Sequence, residues 1–184
     1  MSIFKTSGIV LKINKLKDNE FLIYVFSYDY GKLNLKVNLS KNKKSLDIGY
    51  IINFEIYNKK ELNISEVKNI KILKEFNYDN KSYEIIILFL NLLKYIFDET
   101  AFNNPVYEIY NIIYFLNNYD EITTQKVILS HLKIKNILGL LNIDSTNQDI
   151  RKILYFVSKE NIKNIFRLEK LNIEILKDLE KLIK

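Results

Sequence analysis

Lysines are the residues of this chain whose type and spacing most clearly suggest a chemical role. Five of them fall in one stretch: Lys32, Lys36, Lys41, Lys43 and Lys44. The segment from residue 36 to residue 45 contains no acidic residue that would neutralise them. Lysines at this density can contact successive phosphates and release the counterions bound there. The pattern predicts a nucleic-acid-binding site. Because phosphate contacts carry no base information, the binding should be nonspecific and sensitive to salt.

Flat aromatic side chains lie close to these lysines in the sequence. Tyr28 and Tyr30 precede the lysine-rich stretch, and Tyr24 and Phe26 come just before them. Bases of single-stranded nucleic acid stack on such rings, so Tyr28 and Tyr30 join the predicted binding site. The alternative is structural. In that interpretation Tyr24 or Phe26 points into the core, and Tyr28 and Tyr30 pack a turn.

The positive charge of the chain is concentrated in its first half. The 184 residues include 28 Lys and Arg against 22 Asp and Glu, a net charge of +6. Residues 1–80 contain 14 lysines and nine acidic residues, whereas residues 81–184 contain 14 basic and 13 acidic residues. A polyanionic partner for the first half is the natural hypothesis. The alternative is a lysine-rich composition in which each lysine is only a solvated surface residue.

Residues suited to catalysis or metal binding are scarce. The chain has no cysteine and one histidine, His131, which excludes cysteine-ligated metal sites and disfavours histidine chemistry. No glycine-rich phosphate loop or hydrolase motif occurs. The acidic pairs at residues 98–99 and 120–121 fall at predicted helix ends, where solvated acids are common. We therefore expect no catalytic residue, no metal, no cofactor and no enzymatic activity.

Alternation of apolar and polar residues predicts β-strands in the first part of the chain. It is clearest over residues 32–40, where four apolar residues fall on one face and lysines, asparagines and a serine on the other. Four more strands are predicted over residues 8–13, 20–26, 48–57 and 61–67, the last continuing to about residue 73. Five short strands in this length predict a small closed or nearly closed barrel at residues 1–76.

After Phe76 the pattern becomes helical. Residues 77–82 form a polar linker and residues 83–184 a predicted α-helical domain, so the fold class is α+β. The predicted helices cover residues 83–98, 105–118, 123–141, 146–157, 159–167 and 171–183. The first should be mostly buried, with one polar stripe. Asn104, Thr146 and Ser158 are the expected helix caps, and the aromatic residues of this half are assigned mostly to its core.

The chain carries no predicted targeting or membrane segment. Its N-terminal residues lack the apolar core and cleavage site of a signal peptide. No apolar run reaches the ~18–20 residues of a membrane span. We expect a cytoplasmic protein without membrane contact.

Several of these segments, in this order, resemble a known family. They are residues 8–12 (GIVLK), 18–20 (DNE), 21–26 (FLIYVF), 31–33 (GKL) and 43–45 (KKS), followed by 132–139 (LKIKNILG). The succession is similar to that of the recombination mediator family RecO. The resemblance implies an N-terminal OB-fold. Many members carry a four-cysteine zinc ribbon after the long helix, so this cysteine-free chain resembles a shortened, metal-free member.

The resemblance also implies a function and partners. It implies a non-enzymatic mediator of RecF-pathway repair that binds single- and double-stranded DNA, anneals complementary strands and helps load RecA, in the cytoplasm and associated with the nucleoid. RecR and the single-stranded DNA-binding protein (SSB) are the implied partners. An acidic-apolar SSB tail would dock in an apolar groove of the helical domain. The expected basic edges of that groove are Lys133, Lys135, Arg151 and Lys152.

Two other functions stay open on the sequence alone. The barrel can instead be a protein-docking scaffold whose contact with DNA is incidental. It can also be an RNA-binding barrel, since phosphate contacts and base stacking serve both nucleic acids. A salt-dependent binding titration with competing RNA separates the three.

Overall fold

The computed structural model describes residues 3–38, 45–57, 65–118, 121–144 and 147–183. Three of the predicted binding lysines, Lys41, Lys43 and Lys44, lie outside these ranges, as does Thr146. Within the described ranges, no helix is both long enough and apolar enough to cross a bilayer.

Five strands close into a barrel, as the alternating pattern predicts. They are β1 (Ile3–Lys15), β2 (Glu20–Ser27), β3 (Gly31–Asn38), β4 (Ile51–Tyr57) and β5 (Ser65–Lys74). The order around the barrel is β1-β2-β3-β5-β4. β3 and β5 pair in parallel and the other neighbours are antiparallel. The fold is therefore α+β, with the barrel preceding the helices.

Alternate apolar residues fill the barrel because the side chains of a strand point to opposite faces. On β3 the buried set is Leu33, Leu35 and Val37, and it meets Ile52 and Phe54 of β4 in one core. The described part of the fifth strand covers Ser65–Lys74, and most of its residues have exposed or half-buried side chains. Residues 61–64, where this strand was expected to begin, lie outside the described ranges.

Six helices follow the barrel in the described residues. They are α1 (Tyr83–Glu99), α2 (Tyr107–Asn117), α3 (Thr124–Ile137), α4 (Gln148–Lys159), α5 (Ile162–Ile165) and α6 (Ile173–Lys181). The polar stripe predicted for α1 is confirmed: Glu84, Asn91, Lys94 and Asp98 are all exposed. Its opposite face buries residues such as Phe89 and Leu92.

Several helix ends differ from the expected caps. Asn147 caps α4 by accepting hydrogen bonds from the backbone of Asp149 and Ile150. Ser158 lies inside α4, and Asn161 caps α5. α2 begins at Tyr107, beyond the expected Asn104 cap. Asparagine accepts such bonds as well as serine or threonine does, so a chain this rich in asparagine offers several caps within one or two residues.

By internal contacts the chain forms two compact units. The barrel unit comprises residues 1–80 and 93–117, and the helical unit comprises residues 81–92 and 118–184. Helix α1 therefore contributes residues to both. The boundaries expected from composition, with a linker at residues 77–82, stay a prediction of the sequence.

Candidate nucleic-acid interface

Lys32 is buried within the barrel unit, although the sequence pattern predicted that it would be exposed on the polar face of β3. Its side chain is 6% exposed. The Nζ atom donates a hydrogen bond of 2.6 Å to the carbonyl oxygen of Phe97 in the last turn of α1. It also lies 5.0 Å from the ring centroid of Phe97 and 4.5 Å from that of Phe102. Burial lowers the pKa of Lys32, and the charge of Asp98 opposes that shift. The expected exposure of Lys32 is thus corrected.

The segment after α1 is what covers Lys32. Phe102 pairs in parallel with Lys32, and the backbone N–H of Asn103 donates to the Lys32 carbonyl at 3.1 Å. Gly31 permits this approach, since it has φ +68° and a β-carbon there would collide with the backbone of Asn104. A segment remote in sequence therefore removes one lysine from the predicted site.

Lys36 stays at the surface, as predicted. Its Nζ atom lies 3.3 Å from a carboxylate oxygen of Glu20, and both side chains are partly exposed. Together with Asn38, Lys68 and Asn69 it lines a polar cleft of about 380 Å³. β3 ends at Asn38, and Lys41, Lys43 and Lys44 follow in the sequence, outside the described residues.

The two predicted stacking residues have different surroundings. Tyr30 packs against the barrel core, with its ring 6.2 Å from Phe4 in an edge-on contact. Tyr28 is 38% exposed, with ring centroids 5.0 Å from Tyr107 and 5.2 Å from Tyr110. Tyr28 therefore fits the stacking role better than Tyr30.

Tyr28 belongs to a larger tyrosine group that sequence reasoning assigned mostly to the core. Tyr107 and Tyr114 of α2 are 51% and 45% exposed. Tyr110 lies between these two residues in the sequence, and its side chain is buried. Its ring stacks on that of Tyr114 with 6.0 Å between the centroids, and its hydroxyl donates a hydrogen bond of 3.0 Å to Ser7 Oγ. Burial raises the pKa of Tyr110. We call Tyr28, Tyr107, Tyr110 and Tyr114 the tyrosine group.

Three exposed lysines on β5 were not predicted as binding residues. They are Lys68, Lys71 and Lys74. Their spacing of three does not match the period of a strand, but the register shifts between Asn53 and Glu55. Lys68 pairs with Glu55 and Lys71 with Asn53, two positions apart on β4. In the shifted stretch Asn69 takes φ 54°. Because the strand is irregular here, a search for strict alternation does not identify these three lysines as residues of one exposed face.

Glu55 is the acidic residue beside these lysines, and its carboxylate is well covered. It lies 3.0 Å from Lys5 Nζ and accepts hydrogen bonds from Asn69 at 2.6 Å and Tyr57 at 3.1 Å. These contacts, that of Lys5 first, lower the pKa of Glu55. Its negative charge is therefore offset largely by Lys5.

Three of the four basic residues expected at a groove edge in the helical unit have polar partners within that unit. Lys133 Nζ donates to the Ser158 carbonyl at 3.2 Å and Lys135 Nζ to the Leu182 carbonyl at 2.7 Å. Lys152 pairs with Asp149 at 3.3 Å, and Arg151 is exposed beside it. Lys133 and Lys135 of α3 thus act within the helical unit itself, each on a backbone carbonyl.

An apolar groove is nevertheless present in the helical unit. It has a volume of about 590 Å³ and is formed chiefly by α3, α5 and α6. Its lining includes the apolar residues Ile128, Leu129, Phe166, Leu168, Ile173 and Leu176, the lysines Lys126, Lys170 and Lys177, and the acids Glu84 and Glu180. We call it the lysine-rimmed groove.

His131 has no catalytic setting. It is 2% exposed within α3. Burial, and secondarily the charge of Lys135, lowers the pKa of His131 to about 4. Among the described residues, no group of three or more histidine or acidic side chains could hold a metal ion. The histidine is thus neutral at physiological pH and acts as part of the core.

Comparison with known proteins assigns the barrel. Residues 1–76 match the family described as Recombination protein O N terminal, a range that contains all five strands. No curated protein matches the chain. The closed five-stranded barrel is thus an OB-fold domain similar to the N-terminal domain of recombination protein O, and this match supports a RecO-family protein of recombination and repair.

Proposed function

We propose that this chain is a non-enzymatic recombination mediator. In this role it binds single- and double-stranded DNA, anneals complementary strands and helps load RecA onto strands coated by SSB, with RecR and SSB as partners. The observation that supports this most directly is the family match over residues 1–76. A cytoplasmic, nucleoid-associated location follows from DNA binding.

The physical role of the barrel is to offset phosphate charge. Two DNA strands repel each other, and lysines that contact both lower the free energy of bringing them together. Lys36 is half-buried at the surface of β3, and Lys41, Lys43 and Lys44 follow it in the sequence. These four are the proposed phosphate contacts, and Lys32 is not among them because its ammonium is held by Phe97.

Fluorescence anisotropy with a labelled single-stranded oligonucleotide at two salt concentrations tests the binding. Wild type should bind at low salt and lose affinity steeply as salt rises. A variant with Lys36, Lys41, Lys43 and Lys44 changed to Glu should bind far more weakly. Its matched control carries four equal charge reversals on the helical unit, at Arg151, Lys152, Lys159 and Lys163. Mixing complementary strands in the same buffers measures annealing.

Three outcomes contradict this proposal. Wild type that does not bind at low salt indicates a protein-docking scaffold. RNA that competes better than DNA indicates an RNA-binding barrel. Unchanged affinity in a folded four-lysine variant removes the site assignment.

The lysine-rimmed groove is the proposed site for the SSB tail. An acidic-apolar peptide can place its apolar residues against Leu129, Phe166 and Leu176 and its carboxylates near Lys170 and Lys177, which are both exposed. Lys170 and Lys177 are among the residues that line this groove, whereas Lys133, Lys135, Arg151 and Lys152 are not.

Binding of a labelled SSB-tail peptide tests the groove. Lys170→Glu with Lys177→Glu should weaken binding at least tenfold, because like charges across an interface oppose association. Arg151→Glu with Lys152→Glu is the matched control and should bind normally. If the Arg151 and Lys152 variant binds the peptide more weakly than the Lys170 and Lys177 variant, the binding site lies instead at the edge that the sequence predicted. A RecA-loading assay on SSB-coated DNA then reports whether the groove serves the full function.

A further inference from the structure

We propose that a second surface of the barrel unit, the outer face of β1, β4 and β5 together with the tyrosine group, binds single-stranded nucleic acid. Bases stack on Tyr28, Tyr107 and Tyr114, and phosphates contact Lys71 and Lys68. The inference rests on the proposed function, since it extends the same binding activity to residues that neither the family match nor the lysine-rich stretch assigns.

Two rows of paired residues cross this face. One row joins Ser7 of β1 to Asn53 of β4 and Asn53 to Lys71 of β5. The second joins Lys5 to Glu55 and Glu55 to Lys68. Neighbouring strands lie about 4.8 Å apart, so Lys71 lies about 10 Å across the sheet from Ser7.

The tyrosine group borders the first row. Tyr110 Oη donates to Ser7 Oγ at 3.0 Å, and the backbone N–H of Tyr28 donates to the Ser7 carbonyl at 2.9 Å. Tyr28 and Tyr110 are in ring contact, with centroids 5.2 Å apart. The exposed rings therefore begin where the lysine row ends, and these contacts all lie within one compact unit.

The lysine row leads on to the site already proposed. Lys68 and Lys36 line the same polar cleft, and β3 pairs with β5 at Lys36 and Glu66. A strand that enters at the tyrosine group can thus pass Lys71 and Lys68 and reach Lys36 of the site already proposed. Along this path a single-stranded nucleic acid first meets the exposed tyrosine rings and then the lysines.

Charge favours an anionic occupant on this face. Its exposed lysines are Lys5, Lys68, Lys71 and Lys74, and its acids are Glu55, Glu66 and Glu75. The carboxylate of Glu55 is covered by Lys5, Asn69 and Tyr57, which reduces its repulsion of a phosphate. Lys68 Nζ lies 4.9 Å from the ring centroid of Tyr57, which holds the ammonium at the surface of the sheet.

Exposed rings beside cations favour a single strand over a duplex. Stacking on a side chain needs a free base face, and in a duplex those faces are covered by neighbouring pairs. A duplex would contact the lysines and leave the tyrosines unused. The proposed surface therefore predicts a preference for single strands that Lys41, Lys43 and Lys44 alone would not produce.

Anisotropy with a single-stranded and a double-stranded oligonucleotide of equal length tests the tyrosines. Tyr107→Ala with Tyr114→Ala should weaken single-strand binding about tenfold and change duplex binding less than about twofold. Tyr107→Phe with Tyr114→Phe keeps both rings and should bind like wild type. Oligo-dT and oligo-U are titrated side by side, and their ranking identifies which single strand the surface favours.

The lysines are tested by their salt dependence. Lys68→Glu with Lys71→Glu should lower affinity for the single strand and reduce the slope of log affinity against log salt by about one to two. Lys15→Glu with Lys17→Glu, on the hairpin between β1 and β2, makes the same charge change and should keep the wild-type slope.

Photocrosslinking of wild type gives a readout that does not depend on a variant folding. A single strand carrying 5-iodouracil should crosslink to peptides that contain Tyr28, Tyr107 or Tyr114. Crosslinks confined to other peptides, with wild-type affinity in the alanine and glutamate variants, would overturn this surface while leaving DNA binding intact. Wild type that binds no oligonucleotide would overturn both this surface and the proposed function.

Discussion

Each of the two compact units buries a basic side chain, and the two units do so by opposite means. In the barrel unit, Lys32 is 6% exposed and its ammonium meets a backbone carbonyl and two ring faces, which stabilise its charged form. In the helical unit, His131 is 2% exposed and its pKa falls to about 4, so the ring is neutral. A buried basic side chain either keeps its charge and contacts polar or aromatic groups that stabilise it, or loses its proton and becomes neutral. The reason is that burying an unpaired charge away from water costs too much free energy.

The position of a lysine in the sequence does not by itself tell whether its charge is exposed in this protein. Lys32 belongs to the stretch that looks most like a binding site, yet it fastens the end of α1 and the following segment to β3. Lys68 and Lys71 belong to an irregular strand with no obvious pattern, yet they are exposed. A lysine is available to a ligand only when the other parts of the protein leave its ammonium group accessible to solvent.

The largest expected effect concerns the close approach that covers Lys32. Gly31→Ala would force φ +68° on alanine and drive its β-carbon into the backbone of Asn104. We expect a loss of at least about 4 kcal/mol in the free energy of unfolding. Gly139→Ala in the helical unit shares the positive φ but has open space around it. It should lose only about 1 kcal/mol. Urea denaturation measures both losses. Equal losses of unfolding free energy in the two variants would show that the strained backbone, and not the collision with Asn104, accounts for the effect.

The next effect separates the two buried bases by pH. The pKa of His131 is about 4 in the folded chain and about 6.5 when unfolded, so the unfolded state binds more protons between these values. Stability should therefore fall by about 3 kcal/mol as pH drops from above 6.5 to below 4. His131→Leu should remove that share of the decline, whereas Lys32→Met should leave it in place. Urea unfolding at pH 7 and pH 4 measures the difference.

Lys32→Met tests the compensation directly. The variant keeps the apolar stem and removes the hydrogen bond to Phe97, so stability should fall by about 2 kcal/mol. DNA affinity should stay within about twofold of wild type, because the side chain is buried. Lys36→Met on the same strand is the matched control and should cost less than about 1 kcal/mol, since its pair with Glu20 is partly exposed. A large loss of DNA binding in a folded Lys32→Met variant would return Lys32 to the binding site.

The smallest expected effect has the opposite sign. Glu55→Gln removes the anion that pairs with Lys5 and should raise affinity for single-stranded DNA about threefold. The salt slope should steepen by about one, as expected for one additional cation. Glu169→Gln on the helical unit changes the net charge equally and should have little effect. Anisotropy at several salt concentrations distinguishes a local cation from a change in overall charge.

Much of the barrel was predictable and much of its surface was not. Residues 32–38 alternate closely and residues 20–26 are rich in β-branched and aromatic residues, so β3 and β2 lie where the sequence placed them. β5 does not alternate because of its register shift, so its lysines escaped prediction. In the helical unit, the polar stripe of α1 followed from spacing, but the lysine-rimmed groove joins residues of α3, α5 and α6, which no single helix pattern contains.

The sequence by itself determined the strands, the approximate helices, the family resemblance of the barrel and the excess of lysine in the first half. These are local or additive properties, since alternation and net charge depend only on residue type and order. Tertiary structure alone decided which charges are exposed. Phe97 lies 65 residues from Lys32 in the chain, and Tyr110 lies 103 residues from Ser7. Whether a side chain is free to bind a ligand depends on which distant segments pack against it.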